Sequence, residues 1–138
     1  MQLRMKLLLP SEARSVPLVR SVLGHSLAAL GVTSDCRADI ELAITEACTN
    51  VLAHAGSDRD YEVTAGITDS TCTLEVVDNS FKPGIAPTPA VGGVLIDGNA
   101  EGGRGLQLMR ALVDSLDFEL HPDDGTTVRM CKALVYAA

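Results

Sequence analysis

The sequence predicts an α+β fold, a two-layer α/β sandwich in which a mixed, mostly antiparallel sheet has helices on one face. Segments with period-2 and 3.6-residue patterns alternate in the order strand, two helices, two strands, long loop, helix, two strands. Short turns separate the paired strands, which is typical of hairpins. With 138 residues and a hydrophobic fraction of 46%, we expect residues 1–138 to form one domain with a buried core.

The chain begins with a predicted strand and a predicted helix. Alternating residues indicate a strand over residues 3–9. Ser15 and Pro17 then fit a helix start, with the serine as N-cap and the proline in the first turn. Apolar residues at helical spacing continue to a stop at Gly31.

A second helix is predicted from a cap at Ser34 or Asp35 to about residue 55. Glu46, Asn50 and His54 are four residues apart, so they line one flank of this helix beside its apolar stripe. A polar flank of this kind suits a ligand that needs oxygen and nitrogen contacts, such as a nucleotide with its metal. Hydrogen bonds within the helix or to a neighbouring helix are the alternative explanation.

The second half of the chain contains a hairpin, a loop, a helix and another hairpin. Residues 61–67 and 71–77 are predicted to pair across a turn at 68–70. Prolines and glycines deny regular structure to residues 78–103, and a loop this long in a compact domain is usually functional or mobile.

A helical pattern resumes at residue 104. Residues 117–121 and 126–134 are predicted to form the last hairpin, across Pro122-Asp-Asp-Gly125.

Composition excludes several classes of protein. The net charge is −7 and the cationic residues are scattered, so we expect no direct contact with nucleic acid. No apolar run approaches the width of a bilayer, and the N-terminal leucine run is too short for a signal segment. We therefore expect a cytoplasmic protein without a membrane partner. Four widely spaced cysteines without a C-x-x-C pair indicate reduced, buried thiols: Cys36, Cys48, Cys72 and Cys131.

Two further segments carry candidate ligand contacts. Asp78 ends a predicted strand, where its carboxylate could accept a hydrogen bond from an exocyclic amine such as adenine N6. An Asx-turn is the structural alternative. Glu101-Gly-Gly-Arg-Gly-Leu106 opens a predicted helix, where free backbone amides and Arg104 could meet phosphates. The alternative is a flexible entry to the helix.

The order of these three sites resembles the GHKL (Bergerat-type) ATP-binding fold. Within it, Glu46-Ala-Cys-Thr-Asn50-Val followed by His-Ala is most similar to the anti-sigma-factor serine kinases of the RsbW/SpoIIAB type. The resemblance covers nearly the whole chain, from the strand at 3–9 to residue 134. It implies the histidine-kinase-type ATPase fold, with ATP and Mg²⁺ as cofactors.

The resemblance also implies roles for individual residues. Asn50 matches the Mg²⁺ ligand and Glu46 the acid that serves as base or orienter for the attacking hydroxyl; both roles suit the chemistry of the side chains. Asp78 matches the acid that reads adenine, while Gly103 and Gly105 match glycines whose loop covers the phosphates. The remaining candidate nucleotide contacts in the matching segments are His54, Gly84, Arg104, Leu106 and Thr127.

His54 is open between a phosphate contact and a structural role at the helix end. The run from Asp78 to Gly84 departs from the family's Asp-x-Gly pattern, because Ser80 stands where the first glycine is expected. That glycine lets the backbone pass close to the purine.

The resemblance implies a Mg²⁺-ATP-dependent protein serine/threonine kinase of the partner-switching type. Such a protein phosphorylates an antagonist protein and alternatively binds a sigma factor, and whether it forms the family's homodimer is open. Two other functions remain as alternatives. One is a non-catalytic ATP-binding regulator that acts by protein contact, and the other is a detached histidine-kinase-like ATPase module.

Overall fold

The computed structural model describes residues 1–54, 60–78, 88–89, 100–120 and 126–138. These residues form six strands and three helices. In chain order they are β1 (Leu3–Leu9), α1 (Ser15–Ala29), α2 (Ser34–His54), β2 (Tyr61–Ile67), β3 (Thr71–Asp78), β4 (Thr88–Pro89), α3 (Ala100–Leu112), β5 (Ser115–Leu120) and β6 (Thr126–Ala133). Within these ranges, the helices are too short or too polar to cross a membrane.

One sheet contains all six strands, in the order β1-β2-β3-β6-β5-β4. Each of the five neighbouring pairs is antiparallel, including the β3–β6 pair that joins the two hairpins. The parallel pair that a mixed sheet would need is therefore not found in the described ranges. The α+β sandwich itself is as the sequence predicts.

The helices cover one face of this sheet. Strand side chains alternate, and in β2 the buried set Tyr61, Val63, Ala65 and Ile67 joins the same hydrophobic core as the buried residues of all three helices. The other face is polar: Arg129 lies 2.7 Å from the carboxylates of both Glu75 and Glu119. One apolar face and one polar face explain the period-2 pattern of the strands.

The strands lie close to their predicted positions. The predictions for residues 3–9 and 61–67 match β1 and β2 at both ends, and β3 extends one residue further, to Asp78. β5 starts at Ser115, two residues earlier than predicted. The final hairpin is antiparallel, with Leu120 opposite Thr126, while its predicted turn at 122–125 is outside the described residues.

Two predicted helix caps are wrong by one position. Ser15 is the first residue of α1, not its N-cap, and its hydroxyl donates to the carbonyl oxygen of Glu12 at 2.7 Å. At α2 the cap is Thr33, whose Oγ1 accepts the N–H of Cys36 at 3.3 Å. Serine, threonine and aspartate all cap well, so adjacent candidates cannot be ranked from sequence.

The predicted loop over residues 78–103 contains some regular structure. β4 pairs with β5 through Thr88 and Pro89, and α3 begins at Ala100, four residues before its predicted start. Because glycines are poor helix formers, the sequence predicts a helix start after most of them, later than the observed one. The rest of this segment, 79–87 and 90–99, is outside the described residues.

All four cysteines are free. Cys36, Cys48 and Cys72 are buried, and Cys131 is half-buried. The prediction of reduced, buried thiols is confirmed for Cys36, Cys48 and Cys72. Burial raises the pKa of the Cys48 and Cys72 thiols from the usual 9.0 to about 12.

Candidate functional site

The polar flank of α2 lies beside the core-facing stripe, at the edge of the buried surface. The stripe residues Ile40, Ile44, Ala47 and Val51 are fully buried. Glu46 and Asn50 are half-buried, so their side chains are neither in the core nor fully in solvent. The backbone of His54 ends α2, and its side chain is outside the described part of the structure.

Glu46 faces the glycine-containing helix α3. A β-carbon on Gly105 would lie 3.0 Å from Oε2 of Glu46, which is closer than nine in ten real β-carbon contacts. The absence of a side chain at residue 105 therefore leaves the space that this carboxylate occupies. Glu46 and Gly105, which the sequence assigns to one site although they are 59 positions apart, are neighbours.

Asn50, one turn further along α2, has a polar atom without a partner. Its Nδ2 is buried and forms no hydrogen bond with the described residues. Buried amide groups are nearly always satisfied, so this atom indicates a missing contact. Rotation about the last side-chain bond exchanges Oδ1 and Nδ2, so the same amide can offer either an acceptor or a donor to a ligand.

Asp78 lies at one end of the sheet, on the face that the helices cover. It is the last residue of β3, it is 1% exposed, and its Cα partner in β2 is Tyr61. Continuing the β3–β6 register by one residue puts Thr126 opposite Asp78. Thr126 is 2% exposed, and its Oγ1 is buried without a hydrogen-bond partner among the described residues.

Thr126 is a candidate site residue that the sequence did not single out. Side chains alternate along β6, so Thr126 shares the helix-facing side with the buried Val128, whereas Thr127 shares the opposite side with Arg129. Thr127 is also buried, at 3% exposed, but it lies opposite Val77 on the other face from Asp78. The sequence alone could not show which of the two adjacent threonines faces the helices. The strand register shows that it is Thr126.

The two halves of the site lie at the same end of the molecule. Cys48, between Glu46 and Asn50 on α2, is fully buried in the same core cluster as Tyr61. Tyr61 is opposite Asp78 in the neighbouring strand. The polar flank of α2 and the strand pair that carries the acid therefore border the same core.

The remaining candidate residues lie in or near α3. Gly103, Arg104, Gly105 and Leu106 are all within this helix, and not at its start as predicted. The free amides of its first turn therefore belong to residues 100–103, which include Gly103. Leu106 is 4% exposed and packs in the core, so burial explains it without a ligand. The side chain of Arg104 and all of Gly84 are outside the described residues.

No group of three histidine, cysteine or acidic side chains that could hold a metal exists in the ranges that the structure describes. Among the described residues, Asn50 is the candidate ligand for an ion, together with water and oxygens of the nucleotide. Mg²⁺ is commonly held in this way, by few protein ligands together with substrate phosphates. The unpaired amide of Asn50 fits that coordination.

A groove of about 510 Å³ lies elsewhere, over the polar face of β1, β2 and β3. Arg4, Gly66 and Thr73 are opposite one another across it. None of the candidate residues lines this groove, so it is separate from the site.

An acid and an amide on one helix, a glycine on the neighbouring helix and a buried acid at a strand end make up a candidate nucleotide site. The family model for the histidine kinase-like ATPase domain matches residues 9–132, so the chain belongs to this family, the GHKL ATPases. Members of this family bind ATP.

Within the family, the chain is similar to proteins named serine-protein kinase RsbW and to one named anti-sigma F factor. It is 32% identical to the serine-protein kinase RsbW of Bacillus velezensis, over 91% of this chain and 82% of the relative. It is equally identical to the anti-sigma F factor of Caldanaerobacter subterraneus subsp. tengcongensis, over 93% and 92%.

A solved structure shares the fold. The RsbU and RsbW domains of Rv1364c from Mycobacterium tuberculosis superpose with a TM-score of 0.72 at 23% identity. The match covers 99% of this chain and 34% of that one, so this chain spans about a third of it.

Proposed function

We propose that this protein is a Mg²⁺-ATP-dependent protein serine/threonine kinase that phosphorylates an antagonist protein and alternatively binds a sigma factor. The observation that carries the proposal is the arrangement of Glu46 and Asn50. The carboxylate fills the space beside Gly105, and one helical turn away a buried amide nitrogen has no partner among the described residues. Family membership and relatives that are named serine-protein kinases support it.

Glu46 and Asn50 have different roles in phosphoryl transfer. The carboxylate of Glu46 takes the proton of the attacking serine hydroxyl as its oxygen forms a bond to the γ-phosphorus and the bond to the ADP oxygen breaks. The amide oxygen of Asn50 would hold Mg²⁺, which would neutralise charge on the phosphate oxygens. Its position on the same flank, one turn from Glu46, sets the triphosphate beside the base.

The purine of ATP contacts residues at the end of the sheet. Asp78 accepts a hydrogen bond from the exocyclic amine of adenine, and the unpaired Thr126 hydroxyl lies next to it for a second polar contact, direct or through water. A carboxylate at this place discriminates against a ring carbonyl, so ATP should bind far better than GTP.

Relatives suggest the partners. One relative is named an anti-sigma factor and others are named serine-protein kinases, which fits a protein with two alternative partners. We propose a sigma factor and its antagonist as those partners for this chain. Candidate antagonists can be obtained by affinity capture from the native cell extract.

The test uses wild type and Glu46→Gln, which keeps the shape of the side chain but removes its basicity. Each is incubated with labelled ATP, Mg²⁺ and a candidate antagonist, and ATP affinity is measured by calorimetry. We expect transfer to a serine or threonine to fall at least about 100-fold in the variant, while ATP affinity changes less than about threefold. Equal transfer by both proteins would remove Glu46 as the base.

The same measurements distinguish the kinase from a second candidate function. The sequence from Asp78 to Gly84 departs from the family's Asp-x-Gly pattern, with Ser80 in place of a glycine. This departure favours a non-catalytic ATP-binding regulator. Tight ATP binding by wild type without transfer to a captured antagonist would support that function and contradict the kinase.

A further inference from the structure

We propose that Leu42 and Leu108 are specificity-determining residues, which bind a bulky apolar side chain two residues from the serine or threonine that is phosphorylated. This inference rests on the proposed function and adds the class of substrate segment to it. The segment is an extended stretch of the antagonist protein, in which the acceptor hydroxyl and the apolar side chain point the same way. We call the two leucines the apolar surface.

Leu42 lies on the flank of α2 that carries Glu46. The two residues are four positions apart, so their side chains are about 5–6 Å from each other along the helix. Of the large hydrophobic residues that the structure describes in α2 and α3, Leu42 is the one left exposed, at 41%. A single exposed leucine is ordinary on a protein surface, so its place beside the proposed base is the informative feature.

Two observed contacts show how α2 and α3 run past each other. Glu46 faces Gly105. Nearer the start of α2, the ammonium group of Lys132 lies 3.5 Å from the carboxylate of Asp39 and donates to the carbonyl oxygen of Leu112 at 2.7 Å. Asp39 precedes Glu46 by seven residues, and Leu112 follows Gly105 by seven. The two helices are therefore antiparallel, with matched spacing between these contacts.

This register places Leu108 level with Leu42. Leu108 is three residues after Gly105, close to one helical turn, and it is half-buried. Met109 of α3 is fully buried in the core, so Leu108 lies on the outer side of Gly105, away from the core. The two leucines therefore border the outer side of the groove between α2 and α3, one turn from Glu46.

The occupant of the apolar surface follows from its continuity with the proposed transfer site. A protein that presents a hydroxyl to Glu46 must lie across the outer side of α2 and α3, because their inner side packs in the core. In an extended segment, side chains two residues apart point the same way and are about 6.6 Å apart, which is close to one helical turn. An apolar side chain two residues from the acceptor therefore reaches Leu42 when the hydroxyl reaches Glu46.

Charge disfavours an acidic residue at the same place. Asp39 and Glu46 are acids on this flank, before and after Leu42, and one cation, Lys132, is paired with Asp39 in the described part of the chain. A carboxylate brought between these acids would meet like charge, whereas an apolar side chain buried against leucine gains free energy. The apolar surface therefore selects apolar residues over acidic ones.

The experiment compares wild type, Leu42→Ala and the matched control Val135→Ala. Val135 is 57% exposed and follows the last strand, so both substitutions remove exposed apolar area, but Val135 is outside the apolar surface. Each protein is incubated with labelled ATP, Mg²⁺ and a library of synthetic peptides that have one fixed serine and vary at every other position. The captured antagonist is the second substrate, and calorimetry gives the ATP affinity.

We expect wild type to favour a bulky apolar residue over glutamate or alanine by about tenfold or more, two positions from the serine. Leu42→Ala and Leu108→Ala should each reduce this preference to about threefold or less, and Val135→Ala should keep it. Leu42→Met, which keeps an apolar side chain of similar volume, should also keep it.

Kinetics with the antagonist give a second readout. Leu42→Ala should raise KM about fivefold to tenfold, because the lost contact contributes equally to the ground state and the transition state. The kcat and the ATP affinity should stay within about twofold of wild type. A fall in kcat at unchanged KM would contradict a role in substrate selection.

The outcomes distinguish this inference from the proposed function. If wild type transfers phosphate neither to the peptides nor to the antagonist, the proposed function is overturned. Transfer to the antagonist but to none of the peptides would overturn the apolar surface alone, and so would transfer to peptides without a preference two positions from the serine. A preference that Leu42→Ala retains in full would also overturn it, because another surface would then select the residue.

Discussion

A β-carbon on Gly105 would approach Oε2 of Glu46 to 3.0 Å, so the glycine of α3 and the acid of α2 share one space. The contact lies between two helices that both pack on the core through other residues, Ala47 of α2 and Met109 of α3 among them. The glycine is therefore not needed to bring the helices together, and its effect is local to the carboxylate. This separation lets stability and activity be tested independently.

Gly105→Ala should reduce phosphoryl transfer without reducing stability. Alanine favours a helix interior by about 1 kcal/mol over glycine, while its methyl group must push the Glu46 carboxylate aside by a few tenths of an ångström. We expect an unchanged or higher free energy of unfolding in urea and a transfer rate lower by about tenfold or more.

The control for this substitution is Gly66→Ala, because a β-carbon on Gly66 would have no heavy atom within 4 Å. That variant should retain the wild-type transfer rate. A Gly105→Ala protein as active as Gly66→Ala would show that the space beside Glu46 is not used in catalysis.

Asn50→Ala should separate stability from ligand binding in the same way. The substitution removes a buried amide nitrogen that has no partner and places a better helix former in α2. Without nucleotide, the melting temperature should stay the same or rise. Calorimetry should show that Mg²⁺-ATP affinity falls at least about tenfold, since the proposed metal ligand is lost.

Thr49→Ala is the matched control for Asn50→Ala, since Thr49 is the exposed neighbour whose hydroxyl donates to the carbonyl oxygen of Thr45. It should bind ATP like wild type. A marked fall in melting temperature for Asn50→Ala would mean that the amide is satisfied in solution and is structural.

The strand register predicts different consequences for two adjacent threonines. Thr126→Val keeps the size of the side chain and removes a buried hydroxyl without a partner, so the folded protein should lose no stability. Because Thr126 lies beside Asp78, ATP affinity should fall severalfold. Thr127→Val, on the other face of the sheet, should bind ATP like wild type. A larger loss of affinity in Thr127→Val would restore the assignment made from the sequence.

Periodicity was sufficient for most of the fold. The strand predictions at 3–9 and 61–67 match β1 and β2 because alternating side chains record which face is buried. The start of α3 at Ala100 was missed, since helix propensity is a weak prior that packing overrides. The observed N-caps, Arg14 and Thr33, differ from the predicted ones by one residue, where several neighbouring side chains could serve.

Only part of the candidate site was accessible from the sequence. The spacing of Glu46 and Asn50 was sufficient to put both on one flank, because four residues make about one turn. Thr126 could not be separated from Thr127, since pairing with β3 decides which threonine faces the helices. The contact of Tyr61 with Ser15 was also hidden, because it depends on how α1 packs against the sheet.

High pH should destabilise the fold through its buried thiols. Burial raises the pKa of Cys72 from 9.0 to about 12, and the same holds for Cys48. In the unfolded chain both thiols lose their protons near pH 9, whereas in the folded protein they keep them up to about pH 12. The unfolded state therefore binds fewer protons in this window, and stability is full below pH 9 and falls as the pH rises towards 12.

Each buried thiol should lower the free energy of unfolding by up to about 1.4 kcal/mol per pH unit in that window. Urea unfolding between about pH 8 and pH 11 measures the slope. Cys72→Ala should make the slope shallower by the share of one thiol, although its stability at neutral pH is lower because of the small cavity. Cys131→Ala is the control, because Cys131 is only half-buried. Parallel slopes for wild type and Cys72→Ala would contradict the burial argument, since the thiol would then ionise equally in both states.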